Sequence, residues 1–274
     1  MFRRERIEYK TGAQVAKMRA AGLVVAAVHD AVREATRAGV TTAELDAVAA
    51  ATIAEHGAVS SFLGYHGYPA TICVSVNEEI VHGIPGDRVI RSGDVVSIDA
   101  GAIVAGWHGD AAFTMVVDPQ DPADLALSEA TENAMWAGLV ALATKQHLGA
   151  VGDAVEDVVD ASPVPFGIVQ DYVGHGIGRA MHQPPEVLNY RTRENGARIK
   201  PGLCVAVEPM LTRGSAATRV LEDDWTVVTQ DGSRAAHWEH TVAIGPEGIW
   251  VLTSPDGGEA ALAARGVTIA PWTE

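Results

Sequence analysis

The chain has 274 residues, 47% of them apolar, enough to bury one large core or two small ones. Its 35 acidic against 20 basic residues give a formal charge of -15, a surface that repels phosphate backbones and anionic lipid and so argues against direct nucleic-acid or membrane binding. Met1 to Lys10 is charged and lacks the apolar run of a signal peptide, and no later apolar stretch reaches spanning length, so a cytoplasmic protein is expected. Cys73 and Cys204 stand far apart without a C-x-x-C spacing and read as two buried thiols.

Thr11 with Gln14 has capping-box spacing, and Val15, Met18, Val25, Val28 and Val32 recur near the helical period up to Gly39, which predicts a first helix. Thr41 with Glu44 repeats the cap, and Leu45, Val48, Ala49, Thr52 and Ile53 carry a second helix until Gly57 stops it. Between Ser60 and Asp118 the pattern changes to short β-branched runs, read as strands at Ile72 to Val76, Val95 to Ile98 and Phe113 to Val117. Pro122 opens a long alanine-rich helix to about His147, and a shorter one follows from Val151 to about Val159. Strand-like segments return after Val169, and the stretch after Ser254 reads as an ordinary tail. No Pro/Gly/Ser-rich linker interrupts the chain, so one domain over residues 1–274 is expected, with its core at about 11–253.

A weak internal repeat runs through this pattern. Arg91-Ser92-Gly93-Asp94-Val95-Val96-Ser97-Ile98-Asp99 aligns with Lys200-Pro201-Gly202-Leu203-Cys204-Val205-Ala206-Val207-Glu208, each copy a turn, a strand and then a carboxylate. A histidine loop precedes each, His82-Gly83-Ile84-Pro85 and His175-Gly176-Ile177-Gly178. Two related halves would set Asp99 and Glu208 on facing sides of one cleft.

Asp99 ends one strand, Gly101 and Gly106 mark a bend, and Asp110 begins the return, so hairpin pairing would bring these carboxylates side by side. Asp pairs in hairpins are usually solvated turn residues, but the flanks Val95, Val96, Ile98, Phe113, Met115 and Val116 favour burial, and a buried pair needs a proton or a cation. His175 sits between two glycines, Glu208 ends an apolar strand, and Glu239 precedes another. One histidine and four carboxylates make an oxygen-rich set suited to manganese, iron(II) or cobalt, and four negative charges balance two divalent ions. His29, His56, His108, His147 and His237 receive no role, since helix-surface or loop placement accounts for them. Tyr65, Tyr68 and Trp225, taken alone, read as core aromatics, and His66 as a loop residue.

The strings Gly64-Tyr65-His66-Gly67-Tyr68-Pro69, Ser75-Val76-Asn77-Glu78, His82-Gly83-Ile84-Pro85, Gly174-His175-Gly176-Ile177-Gly178-Arg179 and Glu208-Pro209-Met210 follow one another in an order and spacing that resembles the type I methionine aminopeptidases. The resemblance covers about Thr11 to Thr253. It implies an α+β pita-bread fold: two pseudo-twofold αβ halves around a central antiparallel sheet, with a dinuclear metal site in the cleft. It implies Asp99, Asp110, His175, Glu208 and Glu239 as ligands of two divalent ions, Asp110 and Glu239 bridging them, with His82 and His182 near the scissile amide and Glu208 as proton carrier. It also sets Phe62, Tyr65, Tyr68, Cys73, Met181 and Trp225 around the methionine side chain, Phe62 and Met181 departing from the residues common in bacterial relatives.

The implied activity is removal of the initiator methionine before a small second residue, by attack of metal-activated water. N-terminal Met peptides and nascent chains near the ribosome are then the partners, and a monomer is expected. A proline-specific relative, an aminopeptidase P or prolidase, would need a substantial domain ahead of Asp99, for which there is no room. A type II enzyme would need a helical insertion between its last two acidic ligands, and only 31 positions separate Glu208 from Glu239. A metal-free peptide-binding relative would have lost ligands, whereas all five positions are filled.

Overall fold

The computed structural model describes residues 6–273, so the first half of the charged N-terminal stretch lies outside the described residues. Helix α1 (Gly12–Ala35) starts at the expected capping box: Gln14 N donates to Thr11 Oγ1 at 3.3 Å and Thr11 N to Gln14 Oε1 at 2.9 Å. Helix α2 (Thr42–Glu55) repeats the device with Thr41 and Glu44, each such cap contributing about 1 kcal/mol. Helix α3 (Pro122–Thr144) opens with Pro122 behind the Asp121 cap, and α4 (Gly149–Asp160) packs on it. Among the described residues, no helix is long and apolar enough to cross a membrane.

These helices cover one face of an antiparallel sheet. Its main path runs Val59–Ser60, Val95–Val104, Trp107–Val116, Glu239–Ile244, Cys204–Val207, Gly174–Gly176 and Gln183–Val187, with Cys73–Val76 paired to Val95–Val104 and Ile249–Val251 to Glu239–Ile244. Strand alternation divides the residues between the two faces. Val96, Ile98, Ala100 and Ala102 pack under α1 and α2 in one core, and Val205, Val207, Val242 and Ile244 under α3 and α4 in a second. The odd-numbered partner Asp99, and with it Glu239, point to the opposite face, where the cleft lies. Trp238 packs against both cores and so ties the halves together.

The repeat is structural. Gly93 and Gly202 both take left-handed φ, 82° and 92°, and each sits in a turn closed by the same hydrogen bond, Asp94 N to Arg91 O and Leu203 N to Lys200 O, both 3.1 Å. Each turn feeds its strand into the shared sheet. The antiparallel sheet flanked by helix pairs is the pita-bread arrangement that the resemblance implies.

Two expectations need correction. Asp99 does not end its strand: it lies mid-strand opposite Ala112, and Asp110 lies opposite Gly101, so the two carboxylates are diagonal neighbours on one face rather than a directly facing pair. The stretch after Ser254 is not a plain tail. It forms a fifth helix, α5 (Glu259–Ala263), whose Leu262 is fully buried with Val251, Val267 and Ile269 alongside. Arg19 secures this region by donating to the carbonyls of Val251, Leu252 and Ser254.

Candidate metal centre and substrate pocket

The strand registers converge on a cavity of about 260 Å³ on the uncovered face of the sheet. Register sets Cys73 opposite Asp99, and Glu239 opposite Ala112, which is two residues from Asp110 on the same face. Continuing the His240–Val207 pairing by one residue brings Glu208 opposite Glu239. His175, in the short strand beside Cys204–Val207, completes the group. Ligand atoms of Asp110, His175 and Glu239 lie within 4.8 Å of one another, and Glu208 Oε1 lies 3.4 Å from His175 Nε2.

The electrostatics of this cluster are unfavourable as a set of free side chains. Asp99 Oδ1, Asp110 Oδ1 and Glu239 Oε1 are buried without a hydrogen-bond partner. Burial pushes the Asp99 carboxyl up to about 7 and, reinforced by the neighbouring carboxylates, raises Asp110, Glu208 and Glu239 well above their ordinary range. Burial, with help from His182, pulls His175 down to about 3, so its ring is neutral. His175 Nδ1 lies 3.0 Å from Gly176 O, which can only accept, so Nδ1 carries the hydrogen and Nε2 presents a lone pair to Glu208 Oε1 and, at 3.9 Å, to Asp110 Oδ2. Lone pairs and orphaned carboxylate oxygens aimed at one point are the donor set of a cation site.

All thirteen residues singled out from the sequence line this one cavity. Phe62, Tyr68, Cys73 and Met181 form its buried apolar wall, with Tyr65 and Trp225 partly buried at its edge. The Tyr68 hydroxyl donates to the carbonyls of Ile72 or Gly83, and its ring meets Phe62 and Trp225 edge-on. Burial and the nearby Asp99 keep the Cys73 thiol protonated. His82 takes a left-handed φ of 61°, its ring edge-on to Tyr172 and Trp225, and burial lowers it to about 4. His182 is exposed at the rim, its Nδ1 2.9 Å from the Tyr65 hydroxyl and its ring 4.2 Å from that of His175.

The cavity also includes residues that sequence reasoning passed over: Val81, Asp171, Tyr172, Val173, Met210 and His237. Assigning His237, His108 and His29 to helix surface or loop was wrong. His237 is 2% exposed in the Ala235–His237 strand, His108 is buried against Ser61 Oγ at 2.9 Å, and His29 is buried edge-on to Phe113. The signal for His237 was its spacing of two from Glu239, which points both to one face of an extended chain.

Comparison with known proteins shows the family. The profile of metallopeptidase family M24 matches residues 16–246. The chain is 48% identical to "Methionine aminopeptidase 1" of Mycobacterium tuberculosis over 90% of its own length and 95% of that protein's. It is 43% identical to the Bacillus subtilis protein of the same name, over 89% and 98%. A crystal structure of methionine aminopeptidase from Thermotoga maritima superposes with a TM-score of 0.88 at 37% identity, covering 91% of this chain and all of that one. Prolidase from Pyrococcus furiosus shares the fold at a TM-score of 0.70 and 20% identity, but only 65% of its chain is matched. With its profile match, its relatives and its buried acid cluster in agreement, the chain belongs to metallopeptidase family M24, among the methionine aminopeptidases.

Proposed function

We propose that this chain removes N-terminal methionine from peptides and nascent proteins whose second residue is small. The observation that carries the reading is one cavity in which a buried four-carboxylate, one-histidine cluster adjoins an apolar wall of Phe62, Tyr68, Cys73 and Met181. Asp99, Asp110, His175, Glu208 and Glu239 would hold two divalent cations, since four negative charges balance two such ions. The oxygen-rich donor set suits manganese, cobalt or iron(II). When bound, cations of this kind acidify water and polarise an amide carbonyl.

The protein's own groups divide the remaining work. The apolar wall accepts a thioether side chain, with polarizable sulfur at Cys73 and Met181 and aromatic faces at Phe62, Tyr68 and Trp225. His82, neutral and held by Tyr172 and Trp225, offers an N–H to the substrate carbonyl. With the Tyr65 phenol donating to Nδ1, His182 keeps its hydrogen on Nε2. Glu208 carries the proton from water to the departing amine. The same reading gives nascent chains near the ribosome as partners, the cytoplasm as place of work, a monomer as the acting unit and residues 1–274 as one catalytic unit.

Methionine release by metal-reconstituted protein tests this. Met-Ala-Ser is expected to be cleaved far faster than Met-Leu-Ser, and Xaa-Pro peptides not at all. Equal rates on the first two, or a preference for Xaa-Pro, would move the chain to the prolidase side of the family.

A further inference from the structure

Glu208 is flanked by two imidazoles of different kind. On one side His175 Nε2 lies 3.4 Å from Oε1, and on the other His237 Nε2 lies 3.9 Å from Oε2. His175 has committed its hydrogen to Gly176 O. His237 has not: its Nε2 is buried, lines the cavity and has no hydrogen-bond partner. An ionised carboxylate oxygen can only accept, so a nitrogen facing it with neither proton nor cation between them is favourable only as N–H.

The position of His237 is fixed from two directions. Its backbone N–H donates to Thr114 Oγ1 at 2.9 Å, and the same hydroxyl donates back to His237 O at 2.8 Å, which leaves Ser97 Oγ as donor to Thr114. The next residue, Trp238, anchors the opposite side, packed into both helix-covered cores with Nε1 donating to Ser128 Oγ at 3.1 Å. The backbone at His237 is thus held so that the orphaned ring nitrogen faces the Glu208 carboxylate at 3.9 Å, about 1 Å beyond hydrogen-bond length.

We propose that His237 is a positioning residue for Glu208, its Nε2–H orienting Oε2 so that Oε1 stays turned toward the His175 side of the cluster. This rests on the functional reading above, in which Glu208 both joins the cation site and moves the proton. Groups that orient a metal-binding carboxylate typically change affinity or activity by about 10- to 100-fold when removed. A neutral donor of similar reach would substitute for the ring, and an isosteric hydrocarbon would not.

His237→Leu and His237→Gln separate the two, with thermal melting to confirm that each folds. His237→Leu is expected to lose roughly 10- to 100-fold in kcat on Met-Ala-Ser with KM little changed, and to bind manganese(II) more weakly by calorimetry in proportion. His237→Gln should restore most of both losses, and nitrogen-15 spectra of the metal-free native chain at alkaline pH, with Glu208 ionised, should show the His237 hydrogen on Nε2. If the native chain is active and His237→Leu matches it in kcat and manganese affinity, or if a folded His237→Gln is as impaired as His237→Leu, the inference is overturned. A hydrogen on Nδ1 overturns it as well. If the native chain releases no methionine, the functional reading fails, and the manganese titration and the nitrogen-15 spectrum still decide the role of His237.

Discussion

His175 and an ionised Glu208 face each other with nothing to share: Nε2 and Oε1 are 3.4 Å apart, and both are acceptors, because the His175 hydrogen is spent on Gly176 O. Such a contact is repulsive in an apolar cleft and becomes favourable with a cation between the two atoms. The rest of the cluster follows the same logic, which makes its charge a liability to the metal-free fold.

Replacing Asp99 by Asn tests that liability. The Asp99 carboxyl is raised from 3.8 to about 7 by burial, so between those values the folded chain holds a proton that the unfolded chain releases. Its cost to the metal-free fold is therefore absent below pH 3.8, grows through this window and is complete above about 7. Metal-free Asp99→Asn should melt higher than metal-free native protein at pH 8, with the gap closing by pH 4. The same variant should bind manganese(II) less well and lose most activity. A lower melting temperature at pH 8 would show the carboxylate to be satisfied within the protein.

His82 and His175 open similar Gly-Ile loops, yet the structure separates them. His175 Nε2 points into the acid cluster, whereas His82 packs edge-on against Tyr172 and Trp225. His175→Ala should weaken metal binding. His82→Ala should keep the metal and lose roughly 100- to 1000-fold in turnover, the scale for one transition-state donor. Metal titration alongside kinetics checks both, and equal metal loss in the two variants would make His82 a ligand.

Acid sensitivity should have a contribution remote from the cleft. His29 is buried in α1 against Phe113 with Nε2 unpartnered, and burial, with repulsion from His240, lowers it from 6.5 to about 3. Between those values the unfolded chain binds a proton that the folded chain refuses, so stability falls as pH drops through the window. His29→Met, which removes the titrating group while keeping apolar bulk, should lose less melting temperature between pH 7 and 5 than the native protein. An identical decline would place the acid sensitivity elsewhere.

Gly22 should not tolerate alanine. In an ordinary helix the change would stabilise by about 1 kcal/mol. Here a Cβ would sit 2.1 Å from Leu252 O, a backbone atom, where α1 crosses the chain leading to α5. Overpacking of this kind typically costs about 1–3 kcal/mol, so the steric effect should win and Gly22→Ala should lower the denaturant midpoint. A raised midpoint would mean that the Leu252 segment yields easily.

Local features were legible in the sequence because their causes are local. The caps at Thr11 and Thr41 close hydrogen bonds three residues away, and the turns at Gly93 and Gly202 need only a residue that accepts left-handed φ. Tyr65, Tyr68, His82, His175 and Glu208 stood in the motif strings, and Asp99, Asp110 and Glu239 beside apolar runs. The other pocket candidates came from the resemblance those strings carry, and all of them line one cavity. What the sequence could not determine depends on register between distant strands. The diagonal offset of Asp99 and Asp110 follows from where the hairpin turns, at Ala105 and Gly106, rather than at Gly101. The burial of His29 and His237 depends on strands and helices that pack across more than eighty residues of chain, from Phe113 to α1 and from Thr114 to His237. The apolar spacing after Ser254 is too short to show helix α5 by periodicity, and the burial of Leu262 beside Val251, with Asp256 accepting from Gly258 N and Ala260 N, holds it. Short-range hydrogen bonding is written into neighbouring residues, whereas burial is a property of surfaces that do not exist until the sheet has formed.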